Sequence, residues 1–93
     1  MIRSFRDKRT EAVATGRVGK GFPSDLVRAA QRKLFMIDSA VDLDDLRSPP
    51  GNRLEALHGD RRGQHSVRIN DQFRVCFRWL DGAAEDVEIT DYH

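Results

Sequence analysis

The 93-residue chain is expected to form an α+β fold, with N-terminal helices packed on one face of a curved antiparallel β-sheet. Three observations predict it. An apolar stripe at helical spacing runs through Leu26, Ala30, Leu34, Ile37 and Val41. Past Ser48-Pro49-Pro50-Gly51, which a helix cannot continue through, apolar residues alternate with polar ones. Those alternating runs are broken at Asn70-Asp71 and at Asp81-Gly82, both turn signals between strands.

Taken in order, residues 2–5 read as a short first strand, and residues 7–15 as a short helix closed by Gly16. The stretch RVGKGFP (17–23) reads as a basic, glycine-rich, mobile loop. The main helix starts at Ser24, an N-cap residue type after Pro23, with Asp25 favourable in its first turn. Its signal weakens through SAVDLDDL. Residues 53–57 form a short strand, HGDRRG a polar loop, and 64–69, 72–79 and 85–90 three further strands. No internal repeat or linker divides the chain, so residues 1–93 are read as a single domain.

Alternation assigns the two faces of the sheet. Val67, Ile69, Phe73, Val75, Phe77, Trp79, Val87 and Ile89 fall on one parity and are the partners of the helical stripe. The other parity carries Arg68, Arg74, Cys76, Arg78, Glu88, Thr90 and Tyr92. Arginines on adjacent strands repel unless something offsets them. Glu88 is one candidate, a phosphate backbone lying across the face is another, and guanidinium groups match phosphate geometry with paired hydrogen bonds.

The net charge of +1 hides an uneven distribution. Residues 1–33 hold nine basic against three acidic side chains, and 34–60 two against six. Residues 61–78 hold five against one, and 79–93 none against five. Such blocks fit a basic working face on an acidic remainder, or a solvated surface without a partner. One cysteine, Cys76, excludes a disulfide framework and a multi-cysteine zinc site. No apolar run approaches the roughly 18 residues that a membrane span needs, and the first residues lack the apolar core of a secretory signal. A cytoplasmic, reduced protein without a membrane partner is expected. At this size a substrate is expected on a face or in a shallow groove.

The stretch VEITDYH places Asp91, Tyr92 and His93 beside the arginine face. A carboxylate, a phenol and an imidazole there are suitable parts for phosphodiester cleavage: histidine transfers protons near neutral pH, and arginine stabilises charge on a phosphorane-like transition state. The bland alternative is a solvated terminal side chain. His58, His65 and His93 fit no zinc spacing, so no metal or other cofactor is expected.

MIRSF, the segment DLRSPPGNRLEALHGDRRGQHSVRINDQFRVCFRW and the final VEITDYH together resemble HigB-type toxins of the RelE superfamily, over nearly the whole chain. The resemblance implies a RelE-like compact fold and ribosome-dependent endonucleolytic cleavage of mRNA, without a metal, by attack of a 2′-hydroxyl on the adjacent phosphate. It implies catalytic roles for Asp91, Tyr92 and His93, with His93 as the proton-transfer group and Tyr92 positioning substrate. Arg74 matches the arginine that holds the scissile phosphate, and RLEALHGD the loop that supplies further groups. Where some relatives carry histidine and lysine, this chain carries Glu55 and His58, which would exchange roles in proton transfer or leave His58 as a phosphate contact. Arg61, Arg62, Arg68 and Arg78 are expected to bind RNA. The resemblance also implies a HigA-like helix-turn-helix antitoxin, the ribosome and mRNA as partners, and operator DNA bound through the antitoxin complex. Two rivals remain: a ParE-like gyrase inhibitor on a related scaffold, and a catalytically silent module that only binds antitoxin and operator.

Overall fold

The structure, a computed structural model, describes residues 1–17 and 22–91. Most of the loop expected at 17–23 and both Tyr92 and His93 therefore lie outside the described residues. Helix α1 (Lys8–Thr15) starts where the Asp7 carboxylate accepts the Thr10 N–H at 2.7 Å. It stops at Gly16, whose φ of 78° lets the Gly16 and Arg17 N–H groups turn back to the carbonyls of Val13 and Ala12.

Helix α2 (Ser24–Ser39) buries Leu26, Ala30, Leu34 and Ile37, as the periodicity predicts. Val41 departs from that expectation: it lies beyond the helix and is 76% exposed. The cause is Asp45, whose carboxylate accepts the N–H groups of both Val41 and Asp42 at 3.0 Å and so organises a separate 3₁₀ turn, Leu43–Arg47. That turn swings Leu46 into the core instead. Those two backbone donors, Asp42 first, also hold the Asp45 carboxyl below its usual range.

The four strands, β1 (Glu55–Ala56), β2 (His65–Arg68), β3 (Phe73–Leu80) and β4 (Ala83–Asp91), pair in sequence order as an antiparallel meander. The first is shorter than the 53–57 expected, because Arg53 sits in the left-handed region at φ 45° and Leu57 is already turning into the loop. Strand β4 begins earlier than expected, at Ala83, because Asp81 (φ 50°) and Gly82 (φ 77°) close a two-residue turn that pairs Leu80 directly with Ala83.

A bulge interrupts the last ladder. Cys76 faces Glu88 but Arg78 faces Glu85, so β4 carries one extra residue, and Asp86 takes φ 53° to absorb it. The bulge keeps Ala84 and Val87, three positions apart, both on the helix-facing side, where both are fully buried. It also explains the N-terminal segment. Residues 2–5 run parallel to β4 as expected of an extended segment, but pair only through isolated bridges from Ile2 to Ala84 and from Phe5 to Val87, not as a strand. Between the bridges the Asp86 N–H turns to Ser4 Oγ at 2.9 Å.

The core lies between the helices and the inner sheet face, with Val13, Leu34, Ile37, Val67, Val75 and Phe77 at its centre. Thr10 docks α1 onto β4 by accepting the Ile89 N–H at 2.9 Å. Among the described residues no helix is long and apolar enough to cross a membrane.

Candidate active face of the sheet

Cross-strand register sets out the outer face, turned away from the helices. Glu55, Ser66, Cys76 and Glu88 form one row across the four strands, and Arg68, Arg74 and Thr90 the next. Arg74 is the centre of this face and, although charged, is only 9% exposed. Its side chain folds diagonally across β2. Nε donates to Ser66 Oγ at 2.7 Å, and Nη2 donates to the Arg53 carbonyl at 2.6 Å and to the Ser66 carbonyl at 3.4 Å. The Glu55 carboxylate, half-exposed on β1, stands 3.9 Å from the same Nη2. A buried guanidinium fastened along one edge is held in one orientation, which is what bidentate recognition of a phosphate needs.

Arg61 reaches the same face from the loop between β1 and β2. It donates to Gln64 Oε1 at 3.1 Å and to Glu88 Oε1 at 3.0 Å, while Arg6 approaches the other Glu88 oxygen at 3.9 Å. Glu88 is thus engaged by Arg61 from the loop, with Arg6 beside it. The clasp pins a 3₁₀ turn, Gly59–Arg61, that begins at His58. His58 and Arg62 are exposed on this loop. Arg68 pairs with Asp71 at the β2–β3 turn, and Arg78 lies 3.8 Å from Asp86 at the bulge. Both arginines therefore point their charge toward the ends of the face, away from Arg74.

Asp91 is the last described residue of β4. It lies opposite Phe73, and its carboxylate accepts the Gln72 amide at 3.0 Å. Tyr92 and His93 follow it outside the described residues. Cys76 is fully buried in the outer row, and burial pushes its thiol up, away from the reactive thiolate. His65 belongs to the opposite face, stacked 6.4 Å from Phe77; burial first and Arg47 second lower its pKa, and its Nδ1 is buried without a hydrogen-bond partner among the described residues. Among the described residues no three His, Cys, Asp or Glu side chains converge to hold a metal ion. A cleft of about 410 Å³ lies away from this face, between the N-terminal segment and the helices, where Phe5, Leu34 and Phe35 line it.

Ser66, Gln64 and the Arg53 carbonyl were not singled out by sequence. For Ser66 the available signal was a small hydroxyl residue on the outer parity of β2, two positions before Arg68; for Arg53 there was none, because a backbone carbonyl leaves no mark in the sequence.

Comparison with known proteins gives a consistent picture. The family model described as "RelE-like toxin of type II toxin-antitoxin system HigB" matches residues 3–93. Toxin HigB-1 of Vibrio cholerae serotype O1 is 48% identical over 62 residues, which are 67% of this chain and 65% of that protein. Endoribonuclease HigB of Proteus vulgaris is 30% identical over 93 residues, the full length of both chains. Among solved structures, the YoeB–YefM complex from Staphylococcus aureus superposes with a TM-score of 0.63 at 17% identity, covering 100% of this chain and 98% of that one. A YafQ mutant from E. coli gives 0.62 at 8% identity, covering 98% and 93%. At these identities the structural likeness speaks for the fold.

Proposed function

The chain belongs to the HigB family of RelE-like toxins of type II toxin–antitoxin systems, and on that premise we propose that it is an endoribonuclease that cuts mRNA on translating ribosomes. The outer sheet face is the cleavage surface. One observation carries this reading: Arg74, charged and almost buried, is held in a fixed orientation at the centre of that face, with Glu55 3.9 Å away.

The chemistry uses protein side chains and no metal. The ribose 2′-oxygen loses its proton to a base and attacks the adjacent phosphorus, forming a 2′,3′-cyclic phosphate as the bond to the 5′-oxygen breaks. The leaving 5′-oxygen takes a proton from an acid. His93 is a proton-transfer group, with Tyr92 and Asp91 ordering the substrate beside it, and Glu55 and His58 serve from the β1 side. Arg74 stabilises the charge that accumulates on the phosphoryl oxygens. Arg62, Arg68 and Arg78 attract the flanking backbone as outlying positive charges, and Arg61 acts mainly through its clasp on Glu88.

The partners follow from the family: a HigA-like helix-turn-helix antitoxin, the ribosome with its mRNA, and operator DNA reached through the antitoxin complex, all in the cytoplasm. Induced expression should arrest growth, and His93→Ala should abolish the arrest while leaving antitoxin binding intact. Full toxicity in a protein lacking residues 92–93 would remove the terminus from the mechanism.

A further inference from the structure

We propose that Ser66 is a positioning residue for RNA cleavage, setting the orientation of Arg74 through its hydroxyl together with the carbonyls of Ser66 and Arg53. The inference rests on the proposed ribonuclease function and adds a residue to its machinery.

The argument begins with the demands of an arginine on a sheet. A guanidinium carries five donors, no acceptor and a permanent charge, so a buried one needs oxygens around it. An arginine side chain on β3 has two ways to find them: extend into solvent, as the exposed arginines do, or fold across a neighbouring strand. Folding requires a small residue in its path. Ser66 is that residue: fully buried, on the row next to Arg74, diagonal to it across the β2–β3 ladder. A valine or leucine there would fill the space that the guanidinium crosses. Alanine would clear the path but leave Nε without the oxygen that now receives it at 2.7 Å.

The second wall of this socket is backbone. Arg53 follows the short 3₁₀ turn Pro50–Asn52 and takes φ 45°, ψ 58°, a left-handed conformation costly for any residue with a Cβ. In that conformation its N–H closes on the Pro50 carbonyl at 3.1 Å, and its own carbonyl accepts Arg74 Nη2 at 2.6 Å. An unfavourable backbone conformation is thus retained at a residue whose carbonyl fastens the catalytic-face arginine. Nε and Nη2 lie on one edge of the guanidinium, so the Ser66 hydroxyl and the Arg53 carbonyl together fix both its plane and its rotation. Neither residue needs to touch RNA.

The test is a double-mutant cycle, read as single-turnover cleavage of a defined mRNA on translating ribosomes. Arg74→Ala is expected to slow cleavage about 10²–10³-fold, the scale of losing one transition-state donor. Ser66→Ala is expected to slow it about tenfold to a hundredfold, through misplacement of that donor, with the concentration for half-saturation unchanged. In the Arg74→Ala background, Ser66→Ala should cost nothing further, because it acts only through Arg74. Ser66→Cys, near-isosteric with a poor acceptor, should behave like alanine, and serves if the alanine protein folds badly. Wild-type rates in Ser66→Ala or Ser66→Cys would overturn the inference. So would an undiminished Ser66 effect in the Arg74→Ala background, which would make the residue merely structural. The wild-type reaction separates the two levels: an inactive wild type brings down the proposed function and this inference with it, whereas an active wild type with indifferent Ser66 variants brings down the inference alone.

Discussion

Asn52→Ala should cost the protein about 2–4 kcal/mol of stability, and the reason lies in three groups that the side chain serves at once. Asn52 is fully buried between α2 and the turn Leu43–Arg47. Its amide nitrogen donates to the Leu46 carbonyl at 3.2 Å and the Ser48 carbonyl at 3.4 Å, and its oxygen accepts Lys33 Nζ at 2.6 Å. Truncation leaves the Leu46 carbonyl in the interior without its donor, at about 1–3 kcal/mol. It also releases Lys33, which desolvation first, then Arg32 and Arg68, already holds below the usual lysine range. The small void adds the remainder. For a domain of this size each 1 kcal/mol moves the melting temperature by roughly 4–8 °C, so the thermal midpoint followed by circular dichroism should drop by about 8–32 °C. Asn52→Asp should fall nearly as far, since a carboxylate cannot donate to the two carbonyls. Because Arg53 is the next residue, cleavage should also slow in whatever protein remains folded. A loss below about 0.5 kcal/mol, the range of an ordinary surface substitution, would refute the argument that this network holds the chain between the helices and the sheet.

Three other outcomes follow from the same geometry. His65 has a folded pKa below its ordinary 6.5, so the unfolded chain takes up the proton first as pH falls. Its contribution is therefore fully present above about pH 6.5 and is lost toward the lower folded value; in urea titrations across pH 5–8, His65→Phe should flatten that slope. Glu88→Gln should loosen the Arg61 clasp, slowing cleavage several-fold and lowering stability by about 1 kcal/mol, with faster amide exchange confined to residues 58–63. Asp45→Ala should free the Val41 and Asp42 N–H groups, destabilising the turn near neutral pH. Because the Asp45 pKa is depressed, wild-type and mutant stabilities should converge as pH falls through the folded carboxyl value.

How far the sequence was legible depended on the range of the interaction. The α2 stripe from Leu26 to Ile37 and the alternation of β3 are local periodicities, and both elements formed where expected. Val41 fits the same period but loses to Asp45, a competing backbone acceptor that a hydrophobic pattern does not register. Residues 2–5 read as a strand, yet the bulge at Asp86 limits their pairing to two bridges, and a bulge is visible only once two strands are in register. The candidate site divides the same way. Arg74 could be singled out by its mid-strand position. Its dependence on Ser66 and the Arg53 carbonyl could not, because those contacts join residues 8 and 21 positions away. Arg61 looked like any other arginine of the polar loop until the fold brought Glu88, 27 positions distant, to 3.0 Å.

Primer extension on one defined mRNA, with purified protein and with or without translating ribosomes, tests the central claim most directly. The account predicts cleavage only when ribosomes are translating, and none from His93→Ala under the same conditions. An intact message in every lane containing the wild-type protein would contradict it, and inhibition of DNA supercoiling by that same protein would assign the fold to gyrase instead.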